Sequence, residues 1–201
     1  MNEPLRFVLA TANPDKAEEM RAILTEAVPG VELISRPSEV ADVEERGDTF
    51  VANARLKAEA LRDATGTAAV ADDSGLEVDA LGGAPGVHTA RYAGEDATYE
   101  DNVDKLLNVL EGSTSRRGRF TSVVLVAFPD GSELVAKGVV EGEIAEEPRG
   151  EEGFGYDPIF IPDGGGGRTF SELPPEDKHA LSHRGIALRT LARLLADSAG
   201  A

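Results

Sequence analysis

The chain has 201 residues, no cysteine, and 37 acidic residues against 20 basic ones, which gives a formal net charge of −17. The length suits one folded domain, and the lack of cysteine excludes disulfides, thiolate metal sites and a cysteine nucleophile. The negative charge argues against non-specific binding to nucleic acid or to anionic membranes. Since the longest apolar run is Val123–Phe128 and the N-terminus lacks a signal-peptide pattern, we expect a soluble, cytoplasmic protein.

Strand and helix patterns alternate in the first part of the chain. In order, the predicted elements are strand Arg6–Ala10, a helix opened by Asn13-Pro14 and closed before Pro29-Gly30, strand Val31–Ile34, a helix from Asp48 or Thr49 to about Ala64, and strand Thr67–Ala71. Asparagine and threonine are favourable N-caps, and proline is favourable at the first helical position. The last of these strands is predicted to stop at Asp72-Asp73.

The second part of the chain begins with a glycine-rich segment, Gly75–Gly94, which is predicted to be an ordered loop. The elements predicted after it are a helix capped by Thr98, a hairpin of Arg119–Phe128 and Glu133–Ile144 around Pro129-Asp130-Gly131, a loop at Glu146–Asp157, a strand at Pro158–Ile161, a glycine-rich turn at Asp163–Arg168, and a final helix capped by Ser182. Residues 198–201 are expected to form a frayed tail. Together these elements predict an α/β protein with a mixed sheet flanked by helices, in two lobes.

The first candidate site joins the first strand to the first helix and consists of Thr11, Ala12, Asn13, Pro14, Asp15 and Lys16. A helix N-terminus offers backbone N–H groups and the positive end of the helix dipole, and Lys16 adds a charge where the dipole disfavours lysine. The segment is a candidate phosphate site, although an ordinary capped helix has the same pattern. The glycine spacing of a P-loop is absent.

Charged side chains in the next elements are candidates for phosphate and metal binding. Asn53 and Lys57 lie four residues apart, on one helix face beside the apolar stripe, where Lys57 either snorkels or pairs with an anion. Asp72, Asp73 and Ser74 directly follow a buried strand. Carboxylates in that position commonly hold a hard cation such as Mg²⁺, and an Asx-turn or a helix cap is the alternative.

Two later segments carry groups suited to a nucleotide base. In Gly153–Asp157, Phe154 and Tyr156 can stack on a base and Asp157 can accept hydrogen bonds; the alternative is that the aromatic residues anchor the loop in the core. A group of donors follows near the last helix: Lys178, His183 and Arg184. Such a group favours phosphate or base carbonyls, and a role of His183 as a metal ligand is the less favoured interpretation.

Five stretches of the sequence resemble the Ham1-like inosine triphosphate pyrophosphatases, also called XTP/dITP diphosphatases. They are LATANPDK, EERGDTFVANARLKA, ADDSGLEVDALGGAPGVHTARYAG, GFGYDPIF and KHALSHRGIAL, in family order from residue 9 to residue 188. The resemblance implies one two-lobed α/β domain over residues 1–201, with a long central mixed sheet and a nucleotide cleft between the lobes. It also implies a homodimer, while the net charge of −17 argues against nucleic-acid and membrane partners.

The activity implied by this resemblance is hydrolysis of ITP, dITP and XTP to the nucleoside monophosphate and pyrophosphate, with Mg²⁺ as cofactor. Asp73 matches the metal-binding catalytic acid, and Glu45 matches a second metal-associated acid, with Glu44 as the neighbouring alternative. Lys16 and Lys57 would stabilise charge on the leaving group. The remaining implied substrate contacts are the turn Thr11 to Lys16 at the phosphates, Ser74, and, at the base, Phe154, Gly155, Tyr156, Asp157, Lys178, His183 and Arg184.

Two positions depart from the family pattern. Ala12 stands where glycine is frequent, and Ala52 stands where glutamate is usual, which would remove one acid from a metal site. Two other functions also remain open: a diphosphatase for modified pyrimidine nucleotides, as in the Maf-like family, and a nucleotide sensor without turnover. The base-pocket motifs argue against the first, and the presence of Asp73 and Lys57 argues against the second.

Overall fold

Six strands and five α-helices run through residues 5–199, the part of the chain that the computed structural model describes. The strands are β1 (Arg6–Leu9), β2 (Glu32–Ile34), β3 (Ala69–Val78), β4 (Arg117–Ala127), β5 (Glu133–Ile144) and β6 (Phe160–Pro162). The helices are α1 (Pro14–Ala27), α2 (Phe50–Thr65), α3 (Tyr99–Val109), α4 (Pro175–Leu181) and α5 (His183–Ala199). Short 3-10 helices lie between several of these elements.

All six strands belong to one mixed sheet, in the order β2-β1-β3-β4-β5-β6. β1 is parallel to both β2 and β3, and Val8 lies opposite Ala69 in the β1–β3 register, whereas β5 and β6 are antiparallel. The turn Pro129-Asp130-Gly131 joins β4 to β5, and the Gly131 amide donates to the Phe128 carbonyl at 3.0 Å. The predicted hairpin and the mixed α/β architecture are therefore confirmed.

Local sequence signals set the starts of three helices. Asn13 Oδ1 accepts a hydrogen bond at 3.1 Å from an amide in the first turn of α1, and Thr49, rather than Asp48, caps α2. Thr98 and Asp101 form a reciprocal capping box at the start of α3. Because these side chains satisfy amides that have no partner within the helix, the predicted starts are confirmed.

Several predicted boundaries in the middle of the chain are wrong. β3 does not stop at Asp72-Asp73 but continues through both residues to Val78, because buried cations pair with their carboxylates and the strand need not end in water. The predicted loop Gly75–Gly94 therefore begins inside β3 and then contains two short 3-10 helices. The strand predicted at Pro158–Ile161 starts later, since a 3-10 turn comes first, and α4 was not predicted at all.

The described chain divides into two compact units. The first unit comprises the residues up to 73, residues 122–138 and the residues from 184 onward, and its core includes Phe7, Met20, Leu125 and Leu191. The second unit comprises residues 74–121 and 139–183, with a core that includes Leu76, Leu106, Phe160 and Phe170. Organisation as a single domain stays a prediction.

The chain ends in α5. Of the tail predicted to fray, Ser198 and Ala199 are the last residues of this helix, and residues 200 and 201 lie outside the described part of the chain. Within residues 5–199, no helix is long and apolar enough to span a membrane.

Candidate active site

The turn between β1 and α1 is fixed by its own side chains. Thr11 Oγ1 accepts a hydrogen bond from the Asn13 amide at 3.2 Å, and Asn13 in turn caps α1. The Lys16 ammonium, on the first turn of α1, lies 3.6 Å from Asp72 Oδ2 on β3. The rest of the turn is supplied by Ala12, Pro14 and Asp15. The structure therefore places the Lys16 ammonium beside a capped helix N-terminus.

Asn53 and Lys57 are both buried on the same face of α2, as their spacing predicts. The Lys57 ammonium donates to Asp73 Oδ1 at 3.2 Å and to Glu45 Oε1 at 2.9 Å. The Asn53 side-chain nitrogen donates to Asp73 Oδ2 at 3.2 Å, and Asn53 Oδ1 accepts from the Gly47 amide at 2.7 Å. Of the two alternatives for Lys57, the structure shows pairing with carboxylates.

Glu45, and not Glu44, reaches this cluster. Glu44 pairs with a neighbouring exposed arginine, and its side chain is 70 % exposed, whereas Glu45 shares the Lys57 ammonium with the carboxylate of β3. The segment that carries Glu45 packs closely against the start of α2, because a Cβ added to Gly47 would lie 2.7 Å from the Ala52 Cβ. The backbone at Gly47 thus lies beside Ala52, the position where the family pattern implied by the resemblance has glutamate.

Asp72 lies in a second buried network. Its side chain is 0 % exposed, and its Oδ2 accepts from Arg184 Nε at 3.2 Å and lies 3.6 Å from the Lys16 ammonium. Arg184 also donates from Nη1 to Glu19, a buried acid on α1. We call this alternating series, Glu19–Arg184–Asp72–Lys16, the buried ion chain. Sequence reasoning missed Glu19, although an acid on the apolar face of α1, three residues after Lys16, was a signal that could have found it.

Burial and crowding shift the pKa values of these groups. Burial raises the pKa of Asp73, and the ammonium groups of Lys57 and Lys16 reduce this rise without cancelling it. Burial by itself lowers the pKa of Lys57, but the carboxylates of Asp73, Asp72 and Glu45 outweigh it, so that this pKa is raised. Burial lowers the pKa of Lys16. Asp73 is therefore easier to protonate than an ordinary aspartate, while Lys57 stays charged at neutral pH.

The donor set at Lys57 suits a hard divalent cation. Two carboxylates, those of Asp73 and Glu45, meet at one ammonium group. Mg²⁺ usually takes one or two protein carboxylates and completes its shell with water and phosphate oxygens. Among residues 5–199, no group of three or more His, Cys, Asp or Glu side chains is arranged to hold a metal ion. A cation at this pair would therefore depend on water and substrate oxygens for the rest of its shell.

In the second unit, Asp157 organises the loop Gly153–Asp157. Its Oδ2 accepts from the Phe154 amide at 2.9 Å and from the Lys178 ammonium at 2.7 Å. The same ammonium lies 4.9 Å from the centre of the Phe154 ring. Gly153 has a φ of +82°, and a Cβ there would lie 2.3 Å from Asp157 Oδ2, so the loop requires glycine at this position. The Phe154 ring and the Lys178 charge are thus held together.

Tyr156 and His183 are buried against other groups of the second unit. The Tyr156 hydroxyl donates to the Thr89 carbonyl at 3.0 Å, and burial raises the pKa of this hydroxyl. The His183 ring stacks on Phe120, with 4.5 Å between ring centres. Tyr156 therefore anchors the loop in the core, as one of the two alternatives for this segment predicted, whereas Phe154 does not share this degree of burial.

The structure brings the predicted residues together in two sets. Ser74 is half-buried on β3, and Gly155 has a φ of +62° in the loop before Asp157. The first unit holds Lys16, Glu45, Lys57, Asp73 and Arg184, and the second unit holds Phe154, Asp157, Lys178 and His183. The predicted group of donors near the last helix is therefore divided, because Arg184 is part of the buried ion chain.

Known proteins share this sequence and fold. The sequence profile of the Ham1 family matches residues 7–194. A dITP/XTP pyrophosphatase from Bacillus subtilis is 44 % identical over 190 residues, which cover 94 % of this chain and 96 % of the relative. One from Streptomyces avermitilis is 45 % identical over 199 residues, covering 97 % and 99 %.

Solved structures agree with the sequence matches. A HAM1 protein from Coxiella burnetii is 43 % identical with a TM-score of 0.86, and the match covers 96 % of this chain and 99 % of that one. A nucleoside-triphosphatase / dITP/XTP pyrophosphatase from Mycobacterium abscessus is 44 % identical with a TM-score of 0.74, covering 94 % and 98 %.

Proposed function

The chain belongs to the Ham1 family, and on that premise we propose that it hydrolyses the deaminated purine nucleoside triphosphates ITP, dITP and XTP to the monophosphate and pyrophosphate. The observation that carries this proposal is the cluster in which Lys57 joins Asp73 to Glu45. Lys16 lies close enough to act on Asp73 electrostatically. Such a set of buried cations and carboxylates is suited to phosphoanhydride chemistry.

In the proposed reaction, a water molecule attacks the α-phosphorus, the bond from that phosphorus to the bridging oxygen breaks, and pyrophosphate leaves. Lys16 and Lys57 would stabilise negative charge on the phosphates and on the leaving group. The N-terminus of α1 would add backbone donors for phosphate oxygens. Asp73 would accept the proton from water if it acts as the base, and its raised pKa suits that role. A base role predicts that kcat rises with pH through that pKa.

We assign Mg²⁺ as the cofactor, held by Asp73 and Glu45. When bound, the ion would neutralise charge on the phosphate oxygens and lower the pKa of a bound water molecule. Asp72 accepts from Arg184 and lies beside Lys16, so we assign it to positioning Lys16 and not to the metal. Omission of Mg²⁺ should abolish turnover, and turnover in EDTA would contradict this assignment.

We assign the purine base to Phe154, Asp157 and Lys178. Inosine and xanthine carry a carbonyl at purine position 6, which accepts hydrogen bonds, where adenine carries an amino group, which donates them. Lys178 offers ammonium hydrogens, and Asp157 Oδ2 already accepts two hydrogen bonds. A 6-amino group would therefore leave a donor facing a donor, which should exclude ATP strongly. GTP shares the carbonyl, so its rejection must depend on its 2-amino group and on the loop.

Pyrophosphate release from a panel of nucleoside triphosphates, with Mg²⁺ present, tests the proposed function. ITP, dITP and XTP should be hydrolysed well and ATP poorly, with Asp73→Asn as the control for contaminating activity. Preferential hydrolysis of modified pyrimidine nucleotides would instead favour the Maf-like alternative. Tight binding of ITP without release of pyrophosphate would favour a nucleotide sensor.

We also propose a homodimer, a cytoplasmic location, and the absence of nucleic-acid and membrane partners. The family resemblance supports the dimer, and the net charge of −17 supports weak affinity for nucleic acid and anionic lipid. Sedimentation equilibrium should give the mass of two chains. A mass of one chain at micromolar concentration would contradict the dimer.

A further inference from the structure

Tyr99, the first residue of α3, presents an aromatic ring to solvent beside the loop of Phe154. Its side chain is 43 % exposed, and its ring centre lies 6.0 Å from that of Phe154, with 39° between the ring planes. Aromatic pairs at this separation attract each other. The reaction described above gives this ring no role, yet it adds a second aromatic surface next to the ring assigned to the base.

The position of Tyr99 is fixed by the start of α3. Thr98 Oγ1 accepts from the Asp101 amide at 3.1 Å, and the Thr98 amide donates to Asp101 Oδ2 at 2.8 Å. The buried Asn102 side chain donates to the Ala90 carbonyl at 3.1 Å. Ala90 belongs to the 3-10 helix Gly86–Arg91, so the first turn of α3 is bonded to that segment.

The loop that carries Phe154 is bonded to the same 3-10 helix. The Tyr156 hydroxyl donates to the Thr89 carbonyl at 3.0 Å, and Thr89 directly precedes Ala90. The two aromatic side chains, Tyr99 and Phe154, therefore share one support. Their spacing is set by hydrogen bonds to the adjacent carbonyls of Thr89 and Ala90, which keeps the pair in place before any ligand binds.

We propose that Tyr99 and Phe154 together form a two-ring surface on which the substrate base stacks, and that Tyr99 thereby selects bicyclic purines over monocyclic pyrimidines. This inference rests on the proposed function, because only there is Phe154 assigned to the base. A purine has two fused rings, and one phenyl ring covers only one of them. A second ring whose centre lies 6.0 Å away, inclined by 39°, can contact the edge of the second ring of a purine stacked on Phe154, whereas a pyrimidine stacked there does not extend that far. The selection acts through contact area and is separate from hydrogen bonding to Lys178.

Equilibrium binding of the products separates this role from a structural one. We compare wild type, Tyr99→Ala, Tyr99→Phe and the control Val109→Ala, which removes an exposed side chain from the last residue of the same helix. Isothermal titration calorimetry measures Kd for inosine monophosphate, uridine monophosphate and inorganic tripolyphosphate. Tyr99→Ala should raise the Kd of inosine monophosphate about five- to tenfold, the low end for loss of a base–aromatic stack. The Kd values of uridine monophosphate and tripolyphosphate should change by less than about twofold.

Kinetics and rescue complete the expected pattern. In Tyr99→Ala, KM for ITP should rise by the same factor as the Kd while kcat stays within about twofold, because the lost contact is made equally before and during reaction. Tyr99→Phe keeps the ring and should behave like wild type, as should Val109→Ala. Sedimentation and a thermal melt of each variant establish that its mass and fold are unchanged.

Several results would overturn the inference. One is an unchanged Kd for inosine monophosphate in Tyr99→Ala. Another is an equal rise in the Kd of both monophosphates, or a rise in the Kd of tripolyphosphate, which would indicate a general disturbance of the binding site. A change of mass in Tyr99→Ala would show instead that the ring serves subunit contact. If wild type hydrolyses no nucleotide, the proposed function fails, but the two monophosphate titrations still decide the role of Tyr99.

Discussion

Replacing Arg184 with methionine tests the buried ion chain directly. The Arg184 side chain is 3 % exposed and holds two carboxylates, that of Asp72 at 3.2 Å and that of Glu19. Methionine keeps an unbranched side chain, so the loss is mainly of charge and hydrogen bonds and less of packing. Because the Asp72 side chain is 0 % exposed, bulk water does not reach its carboxylate to solvate it.

The size of the effect follows from this burial. Removing one partner of a buried ion pair costs about 3–5 kcal/mol, and Lys16 beside Asp72 should keep the loss in the lower part of that range. At about 2–4 °C per kcal/mol for a chain of this length, a loss of ~3–4 kcal/mol lowers Tm by roughly 6–16 °C. The control is Arg55→Met, which breaks a pair with Glu133 whose side chains are both 38 % exposed. An exposed pair contributes about 1 kcal/mol or less.

Calorimetric or spectroscopic melts of the two variants decide the matter. A fall in Tm for Arg184→Met that is no larger than that for Arg55→Met would refute the reasoning from burial. Glu19→Gln removes one charge of the buried ion chain but leaves the hydrogen bond between Arg184 and Asp72 in place. This variant should therefore lower Tm by less than Arg184→Met does.

The Arg184→Met variant also distinguishes two possible roles of Arg184 in activity. The family resemblance assigns Arg184 to the base, which predicts lower ITP turnover and a narrower ITP-to-ATP ratio in kcat/KM. The ion chain instead positions Asp72 and, through it, Lys16, so turnover should fall by about tenfold or more for both nucleotides. Assays well below the lowered Tm should therefore show an unchanged ratio. A lower ratio of kcat/KM for ITP to that for ATP would instead support a role of Arg184 in base recognition.

The remaining site residues carry three further predictions. Asp73→Asn should lower kcat by more than about tenfold, since the amide lacks the required charge. Because burial raises the pKa of Asp73 in the folded chain, the free energy of unfolding of wild type relative to this variant, measured in EDTA, should be greatest below about pH 4. This difference should decrease as the pH rises through the raised pKa, and an increase would contradict the sign. Lys57→Met should lower kcat/KM by about a hundredfold and should lower Tm in EDTA, because Asp73 and Glu45 lose their shared ammonium. Addition of Mg²⁺ should raise the Tm of this variant by more than it raises that of wild type. A lower Tm with unchanged kcat/KM would leave Lys57 only a structural role. Gly153→Ala should narrow the ITP-to-ATP ratio by displacing the Asp157 carboxylate, whereas Gly166→Ala, with a φ of +66° and no atom within 4 Å of an added Cβ, should not.

The parts of the fold that the sequence predicts are those fixed by neighbouring residues. The caps at Asn13, Thr49 and Thr98 each bond to an amide three residues along the chain, so the pattern and the structure coincide. The spacing of Asn53 and Lys57 likewise places both on one face of α2 before any tertiary contact is known. These patterns predict the candidate phosphate segment Thr11 to Lys16 and the position of Lys57 on α2, whereas a role of Lys57 at the phosphates rests on the family resemblance.

The parts that the sequence did not predict depend on partners far along the chain. The sequence predicts a strand that stops at Asp72-Asp73, but β3 continues through both residues, and Arg184, 112 residues later, pairs with the Asp72 carboxylate. Glu19 has the same distant partner and so was not recognised. The choice between Glu44 and Glu45 also required the structure, since adjacent glutamates differ only in which of them reaches Lys57.

The charges of the first-unit cluster give a physical reason for binding a cation and a triphosphate together. Four carboxylates face three cations in this cluster, namely Glu19, Glu45, Asp72 and Asp73 against Lys16, Lys57 and Arg184. Fully ionised, these seven groups carry one net negative charge, which repels a triphosphate. A bound divalent cation would reverse the sign, so each ligand should raise the affinity for the other. A proton on Asp73 removes the same negative charge, and the raised pKa of Asp73 favours protonation, but the proton also occupies the carboxylate that we propose as a ligand of the cation. Protons and Mg²⁺ should therefore compete for Asp73, and the affinity for Mg²⁺ should fall as the pH drops towards that pKa.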